Sequence, residues 1–180
     1  MLASKLNDTI TIREVLESDL ALYRDLRLEA LRFEPGAFSA DYEEERARAG
    51  SAWLERLRGI VQDPMQTLFV AEESAALIGM IGIARGRSAK TRHSAGIWGV
   101  YVRPAHRTAG IATALLGHAL LWAQHNNVTR VELSVTTHNA RALTLYKQTG
   151  FDIAGTVHDV MRVNGQPIDE YLLEKILPTD

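Results

Sequence analysis

The stretch RPAHRTAGIATALLGHA, residues 103–119, decides the fold class of this chain. It follows an apolar run at 97–102 whose composition is typical of a β-strand. The strand breaks at Pro104, a short basic turn follows, and apolar residues at helical spacing predict a long helix over 108–126. The first N–H groups of such a helix have no partner within the helix, and groups of this kind bind phosphate oxygens.

The turn carries small residues at the positions where a phosphate would approach the main chain. Residues 107–112 read RTAGIA, which fits the pattern Arg-x-x-Gly-x-Ala with Gly110 and Ala112 as the small residues. Alone, this pattern is weak evidence, because a glycine between a strand and a helix also occurs in ordinary loops.

Length and composition indicate an ordinary globular protein. The chain has 180 residues, of which 46% are hydrophobic and 23% charged, and we expect a single domain over 1–180. The net charge of −2 argues against a general nucleic-acid binder. The absence of cysteine excludes disulfides, cysteine nucleophiles and thiolate metal sites, and is compatible with a reducing compartment.

The sequence also carries no signal for export or for a membrane. The first ten residues contain no apolar block, and the longest uncharged apolar run, 75–84, is far shorter than the ~20 residues of a membrane-spanning helix. We therefore expect a cytoplasmic protein that acts without a membrane or nucleic-acid partner.

Periodicity along the chain predicts alternating strands and helices in the order β-α-α-β-β-β-α-β-α-β-β. Such an order is typical of a mixed α/β plan with helices covering a sheet. The predicted segments are strand 9–14, a helix from Ser18 to Phe33, one or two helices over 42–58, a hairpin of strands 67–72 and 77–85, strand 93–102, helix 108–126, strand 130–135, helix 139–149, and strands 157–163 and 168–176.

A second informative segment is NARALTLYKQTGF, residues 139–151. Asn139, Ala142 and Tyr146 are spaced so that they lie on one side of the predicted helix. Taken alone, the segment is better explained by a capping asparagine and a core tyrosine than by a binding site.

Together, the two segments and the order of elements resemble the GNAT superfamily of acyl-CoA-dependent N-acyltransferases, and the resemblance covers nearly the whole chain. RTAGIA matches the turn that binds the CoA pyrophosphate through main-chain N–H groups, and 139–151 matches the family's Asn-x-x-Ala-x-x-Leu-Tyr-x-x-x-Gly-Phe signature. The resemblance implies an α+β fold with a mixed, mostly antiparallel sheet flanked by helices. It implies acetyl-CoA as co-substrate, without a metal, and places the CoA-binding groups at Val100, Tyr101, Val102, Arg107, Thr108, Ala109, Gly110, Ile111, Ala112, Thr113, Asn139, Ala142 and Tyr146.

The resemblance further implies that an amine attacks the thioester directly, in a ternary complex. Main-chain donors of a splayed strand at 100–102 would stabilise the charge on the carbonyl oxygen. Tyr146 would be the acid for the departing thiolate, since a phenol and a thiol have reference pKa values near ~10 and ~8.5. The family often has glycine at the position of Thr108; threonine still fits the pattern but would change the exact contacts of the loop.

The general base is not identified by the resemblance, because the strand 93–102 contains no acidic residue where many relatives place a glutamate. His93, an ordered water, or attack by an already neutral amine are the alternatives. Glu29 and the run 43–45 fall in the region that borders the acceptor in similar proteins, although a solvated helix face also explains that run. Phe33, Phe38 and Trp98 are either acceptor-pocket or core residues.

Other functions and partners remain open. A CoA-binding regulatory or interaction module with this fold is the main alternative, and a nucleotide-binding protein independent of CoA is disfavoured because neither nucleotide-binding glycine motif occurs in the turn. His118 and His125 lack the spacing of a zinc helix, and the basic loop at 85–92 is explained by solvation. The sequence does not identify the acceptor, which is a small molecule or a protein N-terminus. It also leaves open whether the protein forms a homodimer.

Overall fold

The computed structural model of the protein describes residues 4–6 and 9–178, which build an eight-stranded sheet. The expectation about the first ten residues falls partly outside this range. Strands are β1 Ser4–Lys5, β2 Ile10–Glu14, β3 Gln66–Glu73, β4 Ala76–Arg85, β5 Ser94–Val102, β6 Arg130–Thr136, β7 Asp152–Val163 and β8 Gln166–Ile176; helices are α1 Leu20–Phe33, α2 Tyr42–Ala47, α3 Gly50–Val61, α4 Ile111–His125 and α5 Ala140–Gln148.

The spatial order of the strands is β1-β2-β3-β4-β5-β6-β8-β7. The pair β5 and β6 is parallel, whereas the other neighbouring strands run antiparallel. The predicted mixed, mostly antiparallel sheet with flanking helices is therefore confirmed, including the hairpin of β3 and β4.

Two hydrophobic cores lie on opposite faces of this sheet. Alternate residues of β3 separate them, since Leu68 and Val70 belong to one core and Phe69 and Ala71 to the other. Helices α1 and α3 pack in the core of Leu68, and α4 and α5 pack in the core of Phe69. The sheet is thus covered on both faces.

The segment 42–58, predicted as one or two helices, forms two, because Arg48 and Ala49 are extended. Three other elements differ from the prediction. Helix α4 begins at Ile111 instead of residue 108, β7 begins at Asp152 instead of residue 157, and β1 was not predicted. Strand β7 carries two register shifts, and Asp159 has a left-handed φ of 50°. These irregularities interrupt the alternation of residues between the two faces, so the start of β7 has no two-residue period in the sequence.

Strands β5 and β6 separate after a short parallel contact, and this separation positions the site. Their pairing covers three residue pairs and ends at Gly96 and Glu132. Beyond that point β5 continues beside β4, and β6 continues beside β8. In β5 the register shifts so that Gly99 and Val100 face Ile81, and Gly99 has a left-handed φ of 67°. This β-bulge turns β5 away from its neighbour.

Candidate active site

A cleft of about 520 Å³ opens where β5 and β6 separate. Its walls are the second half of β5, the last residues of β6, the start of α4, one side of α5 and the loop after α1. The cleft brings together nearly all predicted CoA-binding residues; Ala109 lies in the same turn but does not line it. Those that line it are Val100, Tyr101, Val102, Arg107, Thr108, Gly110, Ile111, Ala112, Thr113, Asn139, Ala142 and Tyr146.

The turn before α4 presents a row of unpaired main-chain donors. Within the described ranges, the N–H groups of residues 108–113 have no hydrogen-bond acceptor, and the first helical bond at this end runs from the Ala114 N–H to the Gly110 carbonyl. Gly110 begins the helix with a left-handed φ of 76°. Such a helix start binds anions, because unpaired N–H groups and the helix dipole act together.

Thr108 also adopts a left-handed conformation, with φ at 75°. This conformation is unfavourable for a β-branched residue and is natural for glycine. It therefore explains physically why glycine is usual at this position in similar proteins, and it shortens α4 relative to the prediction.

The side chain of Arg107 holds the turn in place. Its Nε donates to the Val102 carbonyl at 3.0 Å, and its Nη2 donates to Glu34 Oε1 at 2.7 Å. The guanidinium carbon also lies 5.8 Å from the centre of the Tyr101 ring. Arg107 thus fastens the turn to the end of β5 and to the loop after α1, while main-chain groups are left for a ligand.

Strand β5 provides main-chain groups along the opposite wall. After Gly96, the side of β5 that faces β6 has no strand partner within the described part of the chain. The bulge at Gly99 and Val100 further disrupts the ladder toward β4. The arrangement matches the splayed strand that the resemblance implies.

Helix α5 contributes Asn139 and Tyr146. The Asn139 side chain accepts from the Ala142 N–H at 3.1 Å and so caps the helix, while the residue also lines the cleft. Tyr146 is 5% exposed, and its ring packs edge to face on Phe151 with centres 6.0 Å apart. No described residue forms a hydrogen bond with its hydroxyl. Burial raises the pKa of Tyr146 to about 12, so the phenol stays protonated.

Most candidate bases lie outside the cleft. His93 is exposed at the far end of β5, beside Arg130 and Glu132. Glu43 pairs with Arg46, and Glu45 is buried between two arginines instead of forming a solvated face.

Glu29 lies closer, next to a residue of the wall. Its Oε1 accepts from the Tyr101 hydroxyl at 3.1 Å, and its Oε2 forms an ion pair with Arg103 Nε at 3.1 Å. Burial, followed by the charge of Glu29, raises the pKa of Tyr101 to about 12.

The lining residues Glu34, Phe38 and Trp98 are together called the aromatic end of the cleft. Trp98 packs over Gly82, where an added Cβ would lie 2.2 Å from the indole. Phe33 is 61% exposed and does not line the cleft, so the prediction that groups it with the other two aromatics is wrong for this residue.

Sequence reasoning missed Gly99, Glu34 and Arg141, all of which line the cleft. Gly99 carried a signal, because a glycine inside a strand marks a bulge. The ion pair of Glu34 with Arg107 joins residues 73 positions apart and had no local signal.

Two findings on the described residues concern membrane spans and metal sites. No helix in the described part of the chain is both long and apolar enough to cross a membrane. The described residues contain no cluster of three or more His, Asp or Glu side chains arranged to hold a metal. His118 bonds to Ser4 Oγ at 3.0 Å and lies 2.9 Å from the Ala114 carbonyl oxygen.

Known proteins share both the sequence features and the fold. Residues 23–151 match the Acetyltransferase (GNAT) family. The chain is 29% identical to L-amino acid N-acetyltransferase AaaT of Escherichia coli over 125 residues, 69% of this chain and 75% of that protein.

Solved structures of GNAT-type proteins superpose over almost the whole chain. An acetyltransferase of the GNAT family from Streptococcus pneumoniae has a TM-score of 0.82 at 23% identity, covering 94% of this chain and 99% of its own. The structure of yncA from Salmonella typhimurium with acetyl-CoA also has a TM-score of 0.82, at 20% identity and 96% coverage of both chains. With its matching sequence and splayed sheet, this chain belongs to the GNAT family of acyl-CoA-dependent N-acetyltransferases.

Proposed function

We propose that the protein transfers the acetyl group of acetyl-CoA to a primary amine by direct attack within a ternary complex. The observation that carries this proposal is the joining of three features in one cleft: unpaired N–H groups at 108–113, the separated strand β5, and the hydroxyl of Tyr146, which has no hydrogen-bond partner among the described residues. The unpaired N–H groups suit the CoA pyrophosphate, and the separated strand suits the pantetheine arm and the acetyl carbonyl. The Tyr146 hydroxyl suits the sulfur.

The proposed reaction balances without an external oxidant or metal. The amine nitrogen bonds to the acetyl carbon, the carbon–sulfur bond breaks, and a proton passes overall from nitrogen to sulfur to give an N-acetyl product and CoA thiol. Main-chain donors of β5 near Val100 stabilise the negative charge on the carbonyl oxygen. Asn139 and Ala142 border the pantetheine arm from α5.

Tyr146 acts on the leaving sulfur. With a phenol pKa of about 12, complete proton transfer to a thiolate of pKa ~8.5 is uphill by roughly 5 kcal/mol. Tyr146 therefore stabilises the sulfur mainly by donating a hydrogen bond as charge develops, and the acylated nitrogen supplies the net proton. Attack by a neutral amine fits a cleft in which the lining carboxylate of Glu34 is already held in an ion pair with Arg107.

The acceptor is proposed only as a primary amine, on a small molecule or a protein N-terminus. The relative AaaT is named for L-amino acids, which makes amino acids the first class to assay. We further propose a cytoplasmic single domain over 1–180 that needs no metal, nucleic acid or membrane. A homodimer stays a prediction that sedimentation can test.

The decisive experiment is CoA thiol release from acetyl-CoA over a panel of amines, together with direct measurement of CoA binding. Release with at least one amine supports the enzyme. CoA binding without release for any amine would favour the alternative, a CoA-binding regulatory module with this fold.

A further inference from the structure

Arg27 on α1 is a buried cation with no acid of its own. The residue is 8% exposed, and its Nε and Nη1 atoms are fully buried without a hydrogen-bond partner among the described residues. The hydroxyl of Tyr23, one turn earlier on the same helix face, is also buried and unpartnered. Buried polar groups are nearly always paired, because an unpaired buried charge is costly. Arg27 and Tyr23 therefore offer hydrogen-bond donors that a ligand could pair.

The carboxylate whose charge acts on Arg27, that of Glu45, already has two ion-pair partners. Glu45 raises the pKa of Arg27, but its two oxygens are held by Arg48 at 2.8 Å and Arg56 at 2.9 Å. Burial and the charge of Arg56 outweigh it and lower the pKa of Arg27. Arg48 and Arg56 thus share the carboxylate of Glu45, and among the described residues Arg27 forms no ion pair with an acid.

Arg27 lies behind the aromatic end of the cleft. Its guanidinium carbon lies 4.6 Å from the centre of the Phe38 ring, and Phe38 lines the cleft beside Trp98. Glu34, another lining residue, directly follows the end of α1 at Phe33 and is seven positions after Arg27. Phe38 belongs to the loop between α1 and α2. Arg27 does not itself line the cleft, but its guanidinium contacts a side chain that does.

We propose that Arg27 binds a carboxylate of the acceptor, so that the acceptor is an amine that also carries an acid group, as an amino acid does. The loop side chain of Phe38 moves aside, the guanidinium and the Tyr23 hydroxyl receive the two carboxylate oxygens, and the apolar part of the acceptor packs on Phe38 and Trp98. Arginine suits this task because its planar N–H groups match the two oxygens of a carboxylate. The inference rests on the proposed function and names the acceptor class for the same cleft.

The first test needs only the unaltered protein. Each amino acid is paired with the amine that lacks its carboxylate, for example L-phenylalanine with 2-phenylethylamine and L-methionine with 3-(methylthio)propylamine. Binding to the complex with CoA is measured by calorimetry, and CoA release from acetyl-CoA is measured separately. We expect the acid-bearing member to bind about 10- to 100-fold more tightly and to have a correspondingly lower KM, the effect of a charge-assisted hydrogen bond.

The second test uses Arg27→Met, with Arg32→Met as a matched control on the exposed side of the same helix. Arg27→Met is expected to erase the preference for the acid-bearing member while kcat for the decarboxylated amine and CoA binding are kept. Its Tm is expected to equal or exceed that of the unaltered protein, because a buried unpaired charge is removed. Arg32→Met is expected to change none of these quantities.

The outcomes separate this inference from the proposed function. Selective binding of amino acids without CoA release would uphold the carboxylate site and contradict the enzyme. Release that is equal for both members of each pair would uphold the enzyme and overturn the carboxylate site, as would an Arg27→Met protein with lowered Tm and an unchanged preference. Neither binding nor release for any member would overturn both.

Discussion

At the scale of single residues, Tyr146 is the clearest test of the chemistry. Because its pKa is about 12, the phenol remains a donor throughout the range from pH 7 to 10. We expect Tyr146→Phe to lower kcat by about 10²-fold or more, the usual contribution of a positioned proton donor, and to leave CoA affinity unchanged. The factor is expected to be the same at each pH, which steady-state kinetics of both proteins over pH 7–10 will measure.

A different pH dependence would contradict this assignment. If the unaltered protein loses kcat with an apparent pKa near 9 and Tyr146→Phe lacks that limb, the phenol titrates in the working range. The burial that raises its pKa would then be relieved in the complex. Calorimetry with CoA provides the control, since a variant that also loses affinity has disturbed the packing on Phe151.

Single residues also show where sequence reasoning is sufficient. Asn139 and Tyr146 were predicted to share one side of a helix from their spacing alone, and both line the cleft. By contrast, the left-handed Thr108 and the remote partner of Arg107, Glu34, depend on tertiary structure. Local periodicity contains no information on such contacts, so the precise shape of the turn could not be predicted.

At the scale of elements, the start of α4 depends on the backbone of Gly110. An added Cβ would contact nothing within 4 Å there, so a substitution tests the left-handed φ of 76° without a steric clash. In the conformation of the structure, we expect Gly110→Ala to raise the free energy by about 1–2 kcal/mol, because a left-handed φ is unfavourable for an L-residue that carries a Cβ. Because the variant escapes this cost by leaving the CoA-binding conformation, its Kd for CoA is expected to rise roughly 5- to 30-fold.

Gly117, inside the same helix, is the matched control. A Cβ at this position also has open space, and its φ is an ordinary helical one. We expect Gly117→Ala to stabilise the protein by about 1 kcal/mol through helix propensity, with no change in the Kd for CoA. Thermal unfolding and calorimetry measure both quantities. Equal CoA affinities for the two variants would show that the conformation at Gly110 is not needed.

The β4 strand supports the aromatic end of the cleft through Gly82. A Cβ on this residue would lie 2.2 Å from the Trp98 indole, so the indole must move. We expect Gly82→Ala to cost about 1–3 kcal/mol of stability through overpacking and to raise the KM of the acceptor more than that of acetyl-CoA.

Gly96 on β5 gives the corresponding control, since an added Cβ meets nothing within 4 Å. Gly96→Ala is expected to leave both KM values unchanged and stability equal or slightly higher. Denaturant unfolding and steady-state kinetics on the two variants provide the comparison. An unchanged acceptor KM in Gly82→Ala would mean that Trp98 does not form part of the acceptor site.

At the scale of the whole molecule, the order of elements followed from sequence because most helices and strands have a clear hydrophobic period. The exceptions are informative. Strand β7 lies at an edge, is largely exposed and has two register shifts, so burial imposes no strict alternation on it. Arg27 was missed because a buried arginine on an amphipathic helix has the same sequence pattern as a solvated one.

The whole sheet consists of two halves, β1–β5 and β6–β8, that share three residue pairs between β5 and β6. The cleft lies across their separation, with walls from both halves. We expect CoA to join them, so that amide hydrogen exchange slows at 98–102 in β5, at 108–113 in the turn and at 134–136 in β6. At 100 times its Kd, CoA is also expected to add about 2.7 kcal/mol to the free energy of unfolding.

A fragment of CoA distinguishes the contributions of the two walls. Adenosine 3′,5′-bisphosphate lacks the pantetheine arm, so its effect on exchange is expected to stay near 108–113, whereas full CoA protects β5 and β6 as well. Hydrogen exchange with mass spectrometry resolves these segments. If CoA protects the turn but leaves 98–102 and 134–136 unchanged, the pantetheine arm does not lie between the strands, and the separation of β5 from β6 has a purely structural cause.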